Sequence, residues 1–365
     1  NMIKRIVCIT GTVSQPRFVK RVSGLVEAGF DVVVVGYDRG VYKNNKLPDG
    51  VPFINKGTQK DGEGYLSKIT SGYKDVAELI GKYKNEETVF YSFSFLTAIW
   101  FYLRKVKYIY EISDILYGYQ RMKMIQPLMK WIDGKVIKSS VLTVMTSEGF
   151  KRYFFGDQKI DNIIVHPNKV SGKLKLHSER GLLNPDIQSL NFSFVGAIRY
   201  YNTVLRFAKI IGERYPQHRF HFYGDSNVAM NFKEQCKNYD NVIFHGAFKN
   251  PEDLEEIYSH TDIVVACYEN SNLNEQIAEP NKMYEAMFFC KPIVVSTNTF
   301  LAQQVERYRC GYAINAYDDK AIEDFIDNLN YKDIVAISWN ELTVEANFLT
   351  DQPNAIIDRI REINS

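Results

Sequence analysis

Along this chain of 365 residues the apolar positions gather into short, nearly continuous β-branched runs, separated by longer stretches with helical periodicity. Runs at Ile3 to Thr10, Asp31 to Gly36, Thr88 to Ser92, Lys107 to Ile112, Val141 to Thr146 and Asn162 to His166 predict a first set of buried strands. A second set is predicted at Phe192 to Val195, Arg219 to Tyr223, Val242 to His245, Ile263 to Cys267 and Ile293 to Ser296. Because helices and not hairpin turns separate these runs, each set implies a parallel sheet covered on both faces. Helices are expected from Arg17 to Ala28, stopped by Gly29, near Thr203 to Arg214 and from Pro251 to Ser259. The fold class is therefore α/β, with two Rossmann-like, doubly wound domains. Residues 1–170 form the first and 191–335 the second, and the polar segment Ser171 to Leu190 is the expected linker.

The segment Tyr268 to Ser296 carries the most chemistry. A buried strand is followed by a polar loop and a helix from about Asn281, with Pro280 suited to its first turn. Unpaired N–H groups and the positive end of the helix dipole favour an anion there, and Lys282 adds a full charge. A diphosphate fits such a place. Glu285 lies one turn beyond Asn281 on the same face, where a carboxylate accepts ribose hydroxyls.

These residues resemble a family. Pro280-Asn281-Lys282 with Glu285-Ala286-Met287, the Lys291-Pro292 turn and a strand ending at Ser296 are similar to the donor site of GT-B glycosyltransferases, in particular the family 4 type of bacterial envelope polysaccharide synthesis. The resemblance extends to Pro16 through Val32, to Tyr110-Glu111-Ile112-Ser113-Asp114, to Thr146-Ser147-Glu148, to Pro167-Asn168 and to Val195-Gly196 with Arg199. It implies two domains facing a cleft, the first binding acceptor and the second a nucleotide-sugar donor, with a C-terminal helix in 336–365 crossing back to the first. Two departures stand out. The family's Glu-x7-Glu has Ile277 where its first Glu belongs, with Glu279 nearby as a substitute, and the Lys that follows the family's Arg is missing after Arg199.

On that resemblance Arg199, Lys282 and the backbone near Asn281 hold the diphosphate, Glu285 the ribose, and Asn274 and Glu279 touch the sugar, with Gly196 and Pro280 also in the donor site. Phe248 either stacks on the nucleobase or covers the core. Acceptor contacts are expected from Thr12, Ser14, Arg17, Ser94 and Asp114, at C-terminal strand ends or the loops after them. Gly196 alone equally makes a tight turn, and Asp114 equally caps a helix.

Composition narrows the picture. A net charge of +2 with 24% charged residues and no basic tail gives no electrostatic footprint for nucleic acid. Five scattered cysteines without C-x-x-C spacing fit a reducing cytoplasm. The chain enters a strand almost at once, so no export signal is expected, and Asn1 before Met2 is read as an appended residue. No apolar run spans a membrane; Phe93 to Tyr102 is read as a buried helix. The stretch Arg121 to Lys138, with Trp131 and five basic residues, is either a solvated amphipathic helix or a peripheral contact with the inner face of the membrane.

Absent motifs matter too. There is no G-x-G-x-x-G fingerprint and no phosphate loop, which weighs against dehydrogenases and kinases. No D-x-D metal-diphosphate signature occurs, so Arg199, Lys282 and helix N–H groups must meet the leaving-group charge, and no cofactor or essential metal is expected. All six histidines lie at 166 or later, leaving Asp114, with Glu148 behind it, as the candidate base for an inverting reaction. The resemblance favours retention, in which the donor phosphate helps to deprotonate the acceptor. Hexose transfer from a nucleotide sugar to a capsule, O-antigen or exopolysaccharide glycan, free or lipid-linked, is the reading. A nucleotide-sugar 2-epimerase and a non-catalytic sugar-nucleotide or glycan-binding partner are the alternatives.

Overall fold

A computed structural model describes residues 2–38, 46–57, 65–175 and 180–363. The chain forms two compact units, one of residues 1–166 with 353–365 and one of residues 167–352.

The first unit holds strands β1 (Arg5–Thr10), β2 (Asp31–Gly36), β3 (Phe53–Asn55), β4 (Thr88–Ser92), β5 (Tyr108–Ile112), β6 (Leu142–Met145) and β7 (Ile163–Val165). They pair in the order β3-β2-β1-β4-β5-β6-β7, each adjacent pair parallel. Strands β1, β4 and β5 sit mid-sheet and are buried almost throughout, which is why they read as unbroken apolar runs. Flanking helices are started by side chains placed for the purpose. Ser94 caps Phe95–Leu103 by accepting from the Leu96 N–H, and Ser147 caps Glu148–Phe155 by accepting from the Gly149 N–H.

The second unit holds β8 (Asn191–Val195), β9 (Arg219–Tyr223), β10 (Val242–Gly246), β11 (Ile263–Ala266), β12 (Ile293–Ser296) and β13 (Gly311–Ile314), paired β10-β9-β8-β11-β12-β13 and again parallel. Alternation sorts its strands onto two cores. Phe192, Phe194, Val265 and Val294 face one, while Val195, Val264, Ala266, Ile293 and Val295 face the other.

Two expectations need correction. Residues 171–190 are not a free linker: Leu174, Leu183 and Leu190 are buried in the second unit's cores, and residues 176–179 lie outside the described ones. Arg180 donates to the carbonyls of Phe288 (2.9 Å), Met287 (3.1 Å), Glu341 (2.6 Å) and Val344 (2.5 Å), a tie between distant segments that local polarity does not reveal. Residues 336–365 are not one helix. They comprise the end of Tyr331–Thr343, then Ala346–Leu349 and Asn354–Arg361, and only the last belongs to the first unit, where Ile356, Ile357 and Ile360 are buried. Finally, the short strands β3 and β13 were not anticipated.

Candidate donor and acceptor sites

Each sheet reverses its strand order once, beside β1 in the first unit and beside β8 in the second. At such a switch point the loops after neighbouring strands diverge, and ligands settle at the C-terminal strand ends.

In the second unit three glycines open the loops there. Gly196, Gly224 and Gly246 have φ of 144°, 138° and 82°, backbone that a side chain would strain. Their N–H groups lace the loops together, Gly196 donating to the Tyr223 carbonyl and Gly224 to that of Gly246, both at 2.8 Å. A Cβ on Gly224 would fall 1.8 Å from the Gly196 carbonyl oxygen, so close approach as well as φ demands glycine. Past Gly196, Tyr200 adopts a left-handed conformation and opens a π turn over Tyr201–Leu205. Its ring stacks on Tyr268 at 4.8 Å, and the exposed Arg199 guanidinium lies 4.9 Å from the Tyr200 ring. The Asn202 N–H donates to Glu269 at 2.8 Å, tying the β8 loop to the β11 loop.

The helix Asn281–Phe288 begins beside this loop. Pro280 is its N-cap residue, one position earlier than expected, and it makes no side-chain cap, while the Met283 N–H lies 3.4 Å from the Pro280 carbonyl oxygen. Lys282 reaches across toward Gly196, where an added Cβ would lie 3.7 Å from the Lys282 Cε.

Glu285 is the hub. It is 2% exposed and accepts from Lys282 Nζ at 2.7 Å, from Asn281 Nδ2 at 2.8 Å and from the Tyr258 hydroxyl at 2.7 Å. The Lys282 charge is thus matched within the protein. Burial and the neighbouring Glu285 push the Tyr258 hydroxyl well above its ordinary pKa, which keeps it a donor. Glu279 is also buried, held by the Tyr284 hydroxyl and by Gln304 Nε2 at 3.4 Å. Lys169 approaches the same corner, its ammonium 5.2 Å from the Tyr284 ring; burial lowers its pKa against the pull of Glu279 and Asp351. Asn274 is buried on the helix Leu273–Ile277. Phe248 is half-buried and packs against the core.

In the first unit, Thr12 and Ser14 sit on the loop after β1, and Arg17 in the first turn of Pro16–Glu27. Arg21, one turn on, donates to Glu111 through Nε (3.0 Å) and Nη2 (3.1 Å), and the Tyr91 hydroxyl donates to the same carboxylate. Burial alone would raise the Glu111 pKa; Arg21, then Arg17, hold it below the usual carboxylate range. Arg17 Nε is buried and has no hydrogen-bond partner among the described residues. Burial lowers the Arg17 pKa, with Glu111 opposing it, Arg21 adding to it and the exposed Asp114 opposing it again. Ser94 is used as a helix cap, and Glu148 pairs with Lys151 at 3.5 Å.

Sequence reasoning singled out Lys282 and Glu285 but missed Tyr258, Tyr284, Gln304 and the Tyr200–Tyr268 stack, because aromatic residues in these runs read equally well as core. It quoted Glu111 without its partner Arg21, which is 90 positions away. Among the described residues, no group of three or more His, Cys, Asp or Glu side chains could hold a metal ion.

Residues 188–333 match the family described as "Glycosyl transferases group 1". The two doubly wound parallel sheets are similar in fold to solved GT-B glycosyltransferases, and the family match lies within the second unit. Among known proteins, the chain is 23% identical over 303 residues to the succinoglycan biosynthesis protein ExoL of Rhizobium meliloti (strain 1021), covering 77% of this chain and 73% of that one. Among solved structures it is similar to Anabaena Alr3699/HepE in complex with UDP and glucose, with a TM-score of 0.69, 14% identity and 99% of both chains covered. It is also similar to WaaG, a glycosyltransferase involved in lipopolysaccharide biosynthesis, with a TM-score of 0.65, 13% identity, and 98% and 99% covered.

Proposed function

We propose that the protein moves a hexose from UDP-hexose to a growing envelope glycan, with retention at the anomeric carbon. The observation that carries this is the buried Lys282–Glu285 pair at a helix start without a side-chain cap, beside the Gly196 loop. UDP as the donor nucleotide is supported by the HepE complex, and a glycan acceptor by ExoL and WaaG.

In this reading first-turn N–H groups of Asn281–Phe288, with Lys282 and Arg199, take the diphosphate, and Glu285 accepts from the ribose hydroxyls. Glu279 and Asn274 address the sugar. The bond between the anomeric carbon and the diphosphate oxygen breaks, the acceptor oxygen bonds to the same face, and the acceptor proton passes to the leaving diphosphate. No metal is required for the leaving group. The first unit takes the acceptor through Thr12, Ser14, Arg17 and Asp114, at the cytoplasmic face of the membrane.

Thermal stabilisation by UDP, GDP, CDP, ADP and dTDP tests the donor assignment. A ligand at about 100 times its dissociation constant stabilises by about 2.7 kcal/mol. UDP should shift the transition in the wild type and fail to do so in Glu285→Ala and Lys282→Ala. A shift with another nucleotide alone would replace UDP, and none at all would favour a non-catalytic glycan-binding protein. Anomeric NMR of the product checks retention; an inverted centre with rate lost in Asp114→Asn would make Asp114 the base.

A further inference from the structure

Tyr200 holds a backbone conformation that a bulky aromatic residue seldom takes. Its φ of 76° and ψ of 73° are left-handed, and the π turn Tyr201–Leu205 starts directly after it. Such backbone persists only where the surroundings over-determine it, and it clusters at binding and catalytic sites. Here the determinants can be named. Tyr200 is 9% exposed, and its ring stacks on that of Tyr268, with centroids 4.8 Å apart and planes 23° from parallel. Tyr268 is fixed in turn: its carbonyl accepts from the Ser296 hydroxyl at 2.6 Å, its N–H donates to the Ala266 carbonyl at 2.9 Å, and its ring meets Phe194 edge-on. The Leu205 N–H closes the turn on the Tyr200 carbonyl at 3.1 Å.

The turn sends two neighbours different ways. Tyr200 goes inward, while Arg199 stays exposed with its guanidinium 4.9 Å from the Tyr200 ring. Among the described residues no carboxylate pairs with Arg199. Glu269, in the adjoining loop, accepts from the Asn202 N–H, and Lys282 is matched by Glu285. Arg199 thus keeps its charge for a ligand. No Lys follows it in this loop, so the one guanidinium must be well placed. A long exposed side chain gives up rotamer freedom when it grips a ligand, and that cost is subtracted from affinity. A ring face against the guanidinium restricts it beforehand, and the cation–π contact leaves the planar N–H fork available to phosphate oxygens.

We infer that the Tyr200–Tyr268 stack is a positioning platform for Arg199, holding its guanidinium where the donor's diphosphate arrives. This deepens, and rests on, the donor reading proposed above. Tyr200 and Tyr268 are positioning residues that act through Arg199.

The test is calorimetric binding of UMP and UDP to the full chain, because the ratio of the two affinities isolates the second phosphate. Arg199→Ala should lower that ratio about tenfold or more. Tyr200→Leu removes the ring and keeps Arg199, and should lower it about fivefold; Tyr200→Phe keeps the ring and should restore it. Tyr200→Asn, which tolerates left-handed backbone, gives a second ringless variant with the same expectation. In the Arg199→Ala background, Tyr200→Leu should change the ratio by less than about twofold. Equal loss of affinity for UMP and UDP in Tyr200→Leu would make the stack a brace for the loop alone. An unchanged ratio would leave Arg199 self-sufficient, and a full fivefold effect in the Arg199→Ala background would separate the ring from the cation. Each of these, with UDP still bound by the wild type, overturns the inference and spares the donor reading. Wild-type protein that binds neither nucleotide would remove the UDP reading and the inference with it.

Discussion

Two buried pairings of cation with carboxylate, one in each unit, solve the same electrostatic problem differently. In the second unit Lys282 and Glu285 lie three residues apart on one helix, Asn281 from the same turn adds a donor, and the Tyr258 hydroxyl completes the shell. One short segment supplies nearly everything. In the first unit Glu111 at the end of β5 is met by Arg21 from a different element, and Arg17 adds a cation whose Nε has no hydrogen-bond partner among the described residues. The first cluster is largely locally encoded and charge-balanced. The second is assembled by the fold from residues on separate elements.

The comparison breaks most sharply at Glu111. Replacing it by alanine leaves Arg21 and Arg17 buried without their carboxylate, and should cost about 3–5 kcal/mol, measured by urea unfolding. A loss under about 1 kcal/mol would mean that water already shares the pair.

Asp133 is the other buried acid among the first unit's described residues, and no cation is paired with it there. The Tyr117 hydroxyl donates to it at 2.9 Å, yet burial raises its pKa to about 7, against the lowering effect of Tyr117 and Tyr110. A carboxyl that binds its proton more tightly folded than unfolded stabilises the fold below about pH 4, and that contribution fades as pH rises through about 7. Asp133→Asn should therefore flatten the pH dependence and gain about 2–4 kcal/mol at pH 8 relative to wild type. Unfolding curves at pH 4.5 and 8 decide it; parallel losses in both proteins would place the titration elsewhere.

In the second unit, Glu285→Gln keeps the shape but removes the charge that Lys282 meets. Affinity for UDP should fall by about 10- to 150-fold, a loss of about 1.5–3 kcal/mol read by calorimetry. Unchanged affinity would leave Glu285 as an internal brace only.

Smallest is Ser94→Ala. Loss of its cap should cost about 1 kcal/mol of stability. If acceptor KM stays constant, capping is its whole role; a rise in KM would restore it as an acceptor contact.

The contrast also explains what was legible in the sequence. Strands such as Val264 to Ala266 and Ile293 to Ser296 announce themselves because both faces are buried, and the Asn281–Glu285 constellation because its members fall within a single turn. Interactions closed by the fold were out of reach. Arg21 with Glu111, Tyr258 with Glu285 and Arg180 with the carbonyls beyond residue 286 join positions that no local pattern relates. The three-residue β3 is too short for an alternation to register, and β13 has only partly buried or exposed side chains. The polar run 171–190 misled because its anchors are three isolated leucines and one arginine.

The chain leaves the first unit after His166 and returns to it at Pro353, bringing Ile356, Ile357 and Ile360 into that unit's core and Arg359 onto the Asp161 carbonyl at 2.5 Å. On the ribosome this inverts the usual order. The unit that starts first is finished last: its sheet emerges early, but the isoleucines that close its core arrive only after the whole of the other unit has been made. Until then the nascent first unit carries an open apolar seam, whereas the second can fold to completion without waiting for any later segment.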